Sequence, residues 1–162
     1  MGRNVDLKAA VLAGLIAGLV FMILEMALVG TVGGDSPWAP PRMIAAIGMG
    51  KEVLPPPATF DTGVMVVAML IHFALAIILG AIFALIAARW TSSLLASLAV
   101  GAVFGLVVYL VAFYGFTALF PWFAMARNWI SVFAHLVFGA VLGWSYYALA
   151  RRRPSATDDF AR

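Results

Sequence analysis

Charged residues fall in a few short stretches, and the chain runs apolar between them. From Ala9 to Gly34 the only acidic, basic or histidine side chain is Glu25. From Thr62 to Ala88 it is His72, from Trp90 to Ala126 there is none, and from Asn128 to Ala150 it is His135. A helix rises about 1.5 Å per residue, so roughly 20 such residues cross the hydrocarbon core of a bilayer. The pattern predicts an all-α integral membrane four-helix bundle, with spans near 9–30, 62–88, 92–116 and 129–150. These form one transmembrane domain over 1–150, followed by a polar cytoplasmic tail at 151–162, read as disordered. Asp6, Asp61, Thr91 and Asn128 stand just before the four runs and can cap free backbone N–H groups. Gly33-Gly34 and Pro154 close the first and fourth. Arg3 and Lys8 precede the first run as in a secretory signal. That run is long, holds Glu25 and has no clear small-x-small cleavage site, so it reads as an uncleaved span.

The first loop, about 31–61, is long. Proline suits a first helical turn, so a short interfacial helix is expected to begin near Pro40 and to carry Met43, Ile44, Ile47 and Met49. Pro55-Pro56-Pro57 predicts a stiff extended return to the second span. The loop reads as a structured connector, with a lid over an outward cavity as the alternative.

The two halves share a pattern. Gly14 and Gly18 in the first span match Gly101 and Gly105 in the third. His72, Ala76 and Gly80 in the second match His135, Gly139 and Gly143 in the fourth. Pro37-Trp38 and Pro121-Trp122 follow the odd-numbered spans, with Arg42 and Arg127 shortly after. Steps of four keep residues on one helix face. The pattern predicts a tandem two-helix repeat about a pseudo-twofold axis along the membrane normal. Its small residues would let backbones approach.

Composition narrows the class. Hydrophobic residues make up 65% and charged residues 10%, with a mean hydropathy of +1.07. An ordinary soluble domain is about 25% charged, so a soluble fold and a disordered chain are both excluded. With no cysteine there is no disulfide, thiolate nucleophile, iron–sulfur cluster or zinc–thiolate site. The basic balance reads as topology. Arg3, Lys8, Arg89, Arg151, Arg152, Arg153 and Arg162 lie on the side of the termini, against Arg42, Lys51 and Arg127 on the other. Seven against three predicts N-in and C-in. Trp38, Trp122 and Trp129 are then expected at the outer interface, Trp90 and Tyr147 at the inner one. No basic soluble face exists to hold nucleic acid.

Candidate chemistry rests on three residues. A buried Glu or His in lipid is costly and faces the bundle interior with a partner. Depth counting puts Glu25, His72 and His135 in the outer half or near the middle, where one polar cluster is expected. The bland reading is structural hydrogen bonding to a carbonyl, Ser131, Tyr109 or Tyr114. The second is haem b held by His72 and His135, whose ligating nitrogens would stand about 4 Å apart, given metal–nitrogen bonds of about 2 Å. The third is a metal site. Met65, Met69 and His72 share a face, as do Met22, Glu25 and Met26, and thioether with imidazole suits copper, although methionine stripes usually pack. The fourth is a proton or solute path. Glu25 has no counterpart in the second half, where Ala112 stands, and is expected to accept from one imidazole. No hydrolase, metalloprotease or P-loop motif is present, so an enzyme is not expected, and neither is a cofactor.

The stretch Gly33–Ile47 (GGDSPWAPPRMIAAI), with Leu54–Asp61 (LPPPATFD) and Ile71–Phe73 (IHF), resembles a group of short bacterial inner-membrane proteins of unknown function. Some of them carry the label sodium:proline symporter. The resemblance spans most of the chain and implies a multi-pass inner-membrane location with no assigned chemistry. Together the readings point to a non-enzymatic accessory or ligand-binding subunit. A minimal oligomeric transporter or channel is the alternative, and a homo-oligomer or a larger membrane complex is the expected context.

The orientation is directly testable. A reporter active only outside the cytoplasm should work when fused within 31–61 and fail when fused at Arg162. The opposite pattern would reverse the assignment.

Overall fold

The computed structural model describes residues 5–90 and 93–151. Among them all regular structure is helical. Helix α1 runs Leu7–Thr31, α2 Ala39–Met49, α3 Thr62–Trp90, α4 Leu94–Leu110 and α5 Trp129–Ala150. Four of these are long and apolar enough to cross a membrane: α1, α3, α5, and α4 continued through wider and tighter turns to Ala118. Large apolar side chains such as Leu19, Ile23, Leu70, Leu85, Leu95 and Val103 are exposed along their outer faces. Such surfaces are excessive for a chain surrounded by water.

Local chemistry sets the ends. The Asp6 carboxylate accepts from Ala9 N at 3.0 Å and that of Asp61 from Val64 N at 2.8 Å. The Asn128 side chain accepts from Ser131 N at 3.1 Å. The third span differs from expectation: Ser93 caps α4, its hydroxyl accepting from Ala96 N at 3.2 Å, while Thr91 lies outside the described residues. Gly33 donates to Leu28 O and Gly34 takes a φ of +72°, which closes α1. Pro154 and most of the tail also lie outside the described residues, as do Arg3 and the side chains of Arg89 and Trp90.

Helix α2 starts at Ala39 with proline in its first turn. Its buried face is small, formed by Pro41, Ala45 and Ala46, and packs on Val64 and Ala68 of α3. Met43, Ile44 and Ile47 are half-buried and Met49 is exposed. The expected extended run at Pro55–Pro57 is instead bent, and the Pro56–Pro57 bond is cis. Trp38 packs on Phe60 at 5.0 Å, and Trp122 Nε1 donates to Met43 O at 3.2 Å. Trp129 is exposed, and Tyr147 accepts from Arg151. Arg42 donates to Val53 O at 2.7 Å and Thr59 O at 2.9 Å. Arg127 donates to Phe113 O at 2.7 Å and to Thr117 Oγ1 at 3.1 Å, and stacks over Tyr114 at 4.4 Å. Both arginines thus tie their connectors back onto the helices.

The long helices cross where side chains are missing. A Cβ on Gly14 would run into Ala76 O, and one on Gly80 would meet Ala10 O. On the other pair, Gly101 and Gly139 face each other's carbonyls, Gly105 faces His135 O, and Gly143 faces Ser97 O. Gly18 faces Ala76 Cβ and His72 Nε2. Thus α1 lies on α3 and α4 on α5 through matching positions. Helix α5 also packs along α1, whereas α3 and α4 touch little and meet through Phe83 and Phe104 at 5.5 Å. The core fills the space between with Ala9, Ala10, Ala13, Ala17, Phe83, Ala84, Phe138, Leu142 and Tyr146. Buried apolar contact is close-packed, so added volume is felt directly.

Substitutions by alanine should rank accordingly. Gly139→Ala and Gly105→Ala push a methyl into a facing backbone and should lower stability by about 1–3 kcal/mol. Gly115→Ala meets nothing nearer than Val111 Cγ1 at 3.9 Å and should be tolerated. Thermal unfolding in one detergent reads the difference; equal tolerance would mean the helices do not cross there.

Candidate functional site

The polar residues collect near the end of the bundle where α1 finishes and α5 begins. Glu25 lies within two turns of the end of α1, and His135 within two turns of the start of α5. Glu25, His72, Ser131 and His135 are 6%, 8%, 1% and 7% exposed. In an apolar surround a polar group needs an internal partner.

Ser131 supplies two of these partners. Its hydroxyl donates to Glu25 Oε1 at 2.7 Å, and its carbonyl stands 2.7 Å from His135 Nδ1, which donates to it. The spacing of Ser131 and His135 is one helical turn, so the imidazole folds back on its own helix. Glu25 is therefore joined to α5 through a serine rather than through an imidazole, as had been expected. Its second oxygen, Oε2, is buried and has no hydrogen-bond partner. The other such side-chain atom among the described residues is Ser145 Oγ.

His72 is held differently. Its Nε2 lies 2.8 Å from Gly18 O on α1, to which it donates across the α1–α3 crossing. Between the two histidines stands Phe21, one turn before Glu25 on α1. It stacks on His72 at 5.7 Å and presents an edge contact to His135 at 4.7 Å. Tyr109 and Phe113 of the third span close on His135 at 5.6 and 5.4 Å. At Val111–Gly115 this span widens into a π-type turn, a departure frequent at functional sites. Its Phe113 also packs on the buried Phe123.

The structure thus links Glu25 to His135 through Ser131 and sets His72 beside them across Phe21. Among the described residues no group of three or more His, Asp or Glu side chains is placed to share a metal ion. Met65 and Met69 line a shallow, apolar groove along α3 with Val66, Leu70 and Phe73. Met22 is buried on α1 and Met26 half-buried. Trp38, Arg42 and Arg127 hold the connectors and contribute no group to this cluster. Sequence reading overlooked Phe21 as the divider and Ser131 as the partner of Glu25. The available signal was spacing: Phe21 precedes Glu25, and Ser131 precedes His135, by four.

No protein-family model, curated protein or solved structure matches the chain.

The cluster makes an energetic prediction. Ser131→Ala strips Glu25 of its donor and should cost about 1–3 kcal/mol, the cost of orphaning a buried polar group. Removing both partners with apolar groups of similar shape is nearly neutral, so Glu25→Met combined with Ser131→Ala should unfold within about 1 kcal/mol of the parent. A double variant as unstable as the single one would show that the carboxyl, not the bond, is needed for the fold.

Proposed function

We propose that this chain is a small, non-enzymatic inner-membrane protein that acts as a ligand-binding or accessory subunit, with the Glu25–Ser131–His135 cluster as its working site. In this reading the four long helices insert as a bundle with both termini in the cytoplasm, and α2 lies at the outer interface. The two helix pairs descend from one tandem repeat. The matched contacts of Gly14, Ala76 and Gly80 with those of Gly101, Gly139 and Gly143 support that origin. The resemblance to short bacterial inner-membrane proteins fits the location.

One observation carries the functional part: Glu25 keeps a carboxyl oxygen buried and unpartnered, the other such side-chain atom among the described residues being the neutral Ser145 hydroxyl. A structural role would have been met equally well by an apolar residue, and stability given up in a core is characteristic of functional sites. Haem b or copper on His72 and His135 draws less support. Phe21 packs on both rings and stands between them. An oligomeric transporter would use the same cluster.

The test separates folding from function in the cell. Glu25→Met with Ser131→Ala, placed in the native gene, should accumulate in the membrane at the parental level. It should nevertheless reproduce the growth defects of a strain lacking the gene across a panel of conditions. Full complementation by the double variant would reduce the cluster to packing.

A further inference from the structure

A buried carboxylate oxygen without a protein partner can be completed by a metal ion, by a cationic group, by a water molecule where a cavity admits one, or by a proton. Hard metal ions take about six or more oxygen ligands. Glu25 has one neighbouring hydroxyl, Ser131 Oγ, and no second acidic group or free histidine joins it among the described residues. The two arginines of the connectors at this end are already committed. Arg42 is held by the Val53 and Thr59 carbonyls, and Arg127 by the Phe113 carbonyl, Thr117 and the Tyr114 ring. A proton needs neither a coordination shell nor a cavity.

We propose that Glu25 is a proton-exchange site, with Oε2 as the atom that gains and loses the proton and Ser131 as the positioning residue. This rests on the reading of the cluster as functional. The Ser131 hydroxyl occupies Oε1 whether or not the acid is protonated, so the proton is directed to Oε2. Because Oε2 is buried at rest, exchange takes place with water admitted when the helices part at the end of the bundle where the connectors lie. Hydronium gives up a proton and becomes water as the O–H bond forms on the carboxylate, and the reverse step returns it. The charge of Glu25 therefore appears and disappears in the core, where no counter-charge among the described side chains is bonded to it.

The titratable and charged groups on the described side chains packed against α1 are few. Helix α5 brings His135, bonded to the Ser131 carbonyl and enclosed by Phe21, Tyr109 and Phe113. It also brings Tyr146, whose hydroxyl meets Asp6 N at the opposite end, and Tyr147 with Arg151 beside it. Helix α3 brings His72, bonded to Gly18 O, and α2 brings Arg42. The imidazoles are the only ones of these seated around Phe21 with Glu25 one turn away. A proton on either would act on Glu25 through space, without a direct bond.

The chain has two glutamates, Glu25 and Glu52, which allows a test that leaves the site intact. The Glu52→Gln protein, labelled with carboxyl-13C glutamate and held in phospholipid vesicles, is followed by infrared spectroscopy over a pH series. The only labelled carboxyl is then Glu25. The expected result is a 13C-shifted carbonyl-stretch band of a protonated acid that grows as pH falls and is lost as pH rises. It should move in D2O. Ser131→Ala should shift both its frequency and the pH at which it appears, while Glu25→Gln should abolish it. A Glu25 that stays ionised, or stays protonated, throughout the pH range in which the protein is folded would overturn the proposal. A titrating band together with full complementation by the double variant would leave proton exchange in place and remove the accessory-subunit reading. A silent Glu25 with failed complementation would do the reverse.

Discussion

The arrangement depends on helix backbones meeting where no side chain intervenes. Every long helix is lined by apolar groups on its buried and exposed faces alike; these would pack in many registers, and apolar burial alone does not select among them. The crossing points do. Gly101 and Gly105 of α4 rest on the carbonyls of Gly139 and His135 of α5, and Gly14 of α1 rests on that of Ala76 of α3. A one-residue shift would bring a Cβ against a backbone on both pairs. Register fixed in this way also fixes the histidines, because each lies one turn from the small residue at its crossing. A single methyl then distinguishes them. Helix α3 presents Ala76 to α1, and the His72 imidazole reaches across to Gly18 O. On α5 the equivalent position is Gly139 and the helices meet backbone to backbone. There the His135 ring bonds within its own helix and packs among Phe21, Tyr109 and Phe113.

How much of this was readable depended on whether the cause was local. Four long helices follow from charge-free runs, and the caps at Asp6, Asp61 and Asn128 from side chains beside them. The steps of four from His72 and His135 named the residues that turn out to stand at the crossings. The start of α4 was not fixed by sequence because Thr91 and Ser93 are both capping residue types two positions apart; Ser93 is the one seen to cap it. The widening at Val111–Gly115 leaves no mark in an apolar stretch, since a π-type turn is set by what the helix must reach. Here the Phe113 carbonyl receives Arg127 and the Phe113 ring touches His135. The three ionisable residues were found because they are rare. Their pairing was not, because hydrogen-bond choice among Ser131, Tyr109, Tyr114 and a carbonyl is decided by rotamers and not by spacing.

The two halves differ most where the polar cluster forms. The position in the second half that corresponds to Glu25 is Ala112, inside the widened turn. The long connector belongs to the first half only, where α2 packs its small face on α3 while Trp122 bonds to Met43 O. Those differences are linked by geometry. Helix α5 lies along α1, but α3 and α4 touch little, so one side of the assembly is closed helix on helix and the other is bridged by α2 and the Pro121–Ala126 turn. Glu25 sits on the closed side, facing α5, where its carboxyl is surrounded by helices.

An energetic argument bears on why such a group persists there. One hydrogen bond from Ser131 is worth about 1 kcal/mol net, whereas an orphaned polar oxygen costs about 1–3 kcal/mol, so the pair as it stands brings the fold no net gain. The chain holds an apolar solution in the matching place, Ala112, and uses it. Arg42 and Arg127 are each held by two hydrogen bonds, Arg42 by the Val53 and Thr59 carbonyls and Arg127 by the Phe113 carbonyl and the Thr117 hydroxyl. Among the described residues the incompleteness falls on the neutral Ser145 hydroxyl and, as the one ionisable case, on the carboxyl that Ser131 holds by one oxygen only. A carboxyl so fixed has one defined atom open to exchange and one fixed by a neutral donor. That division of its two oxygens, more than the burial itself, separates it from His72 and His135, whose bonds to the Gly18 and Ser131 carbonyls anchor each ring to a backbone.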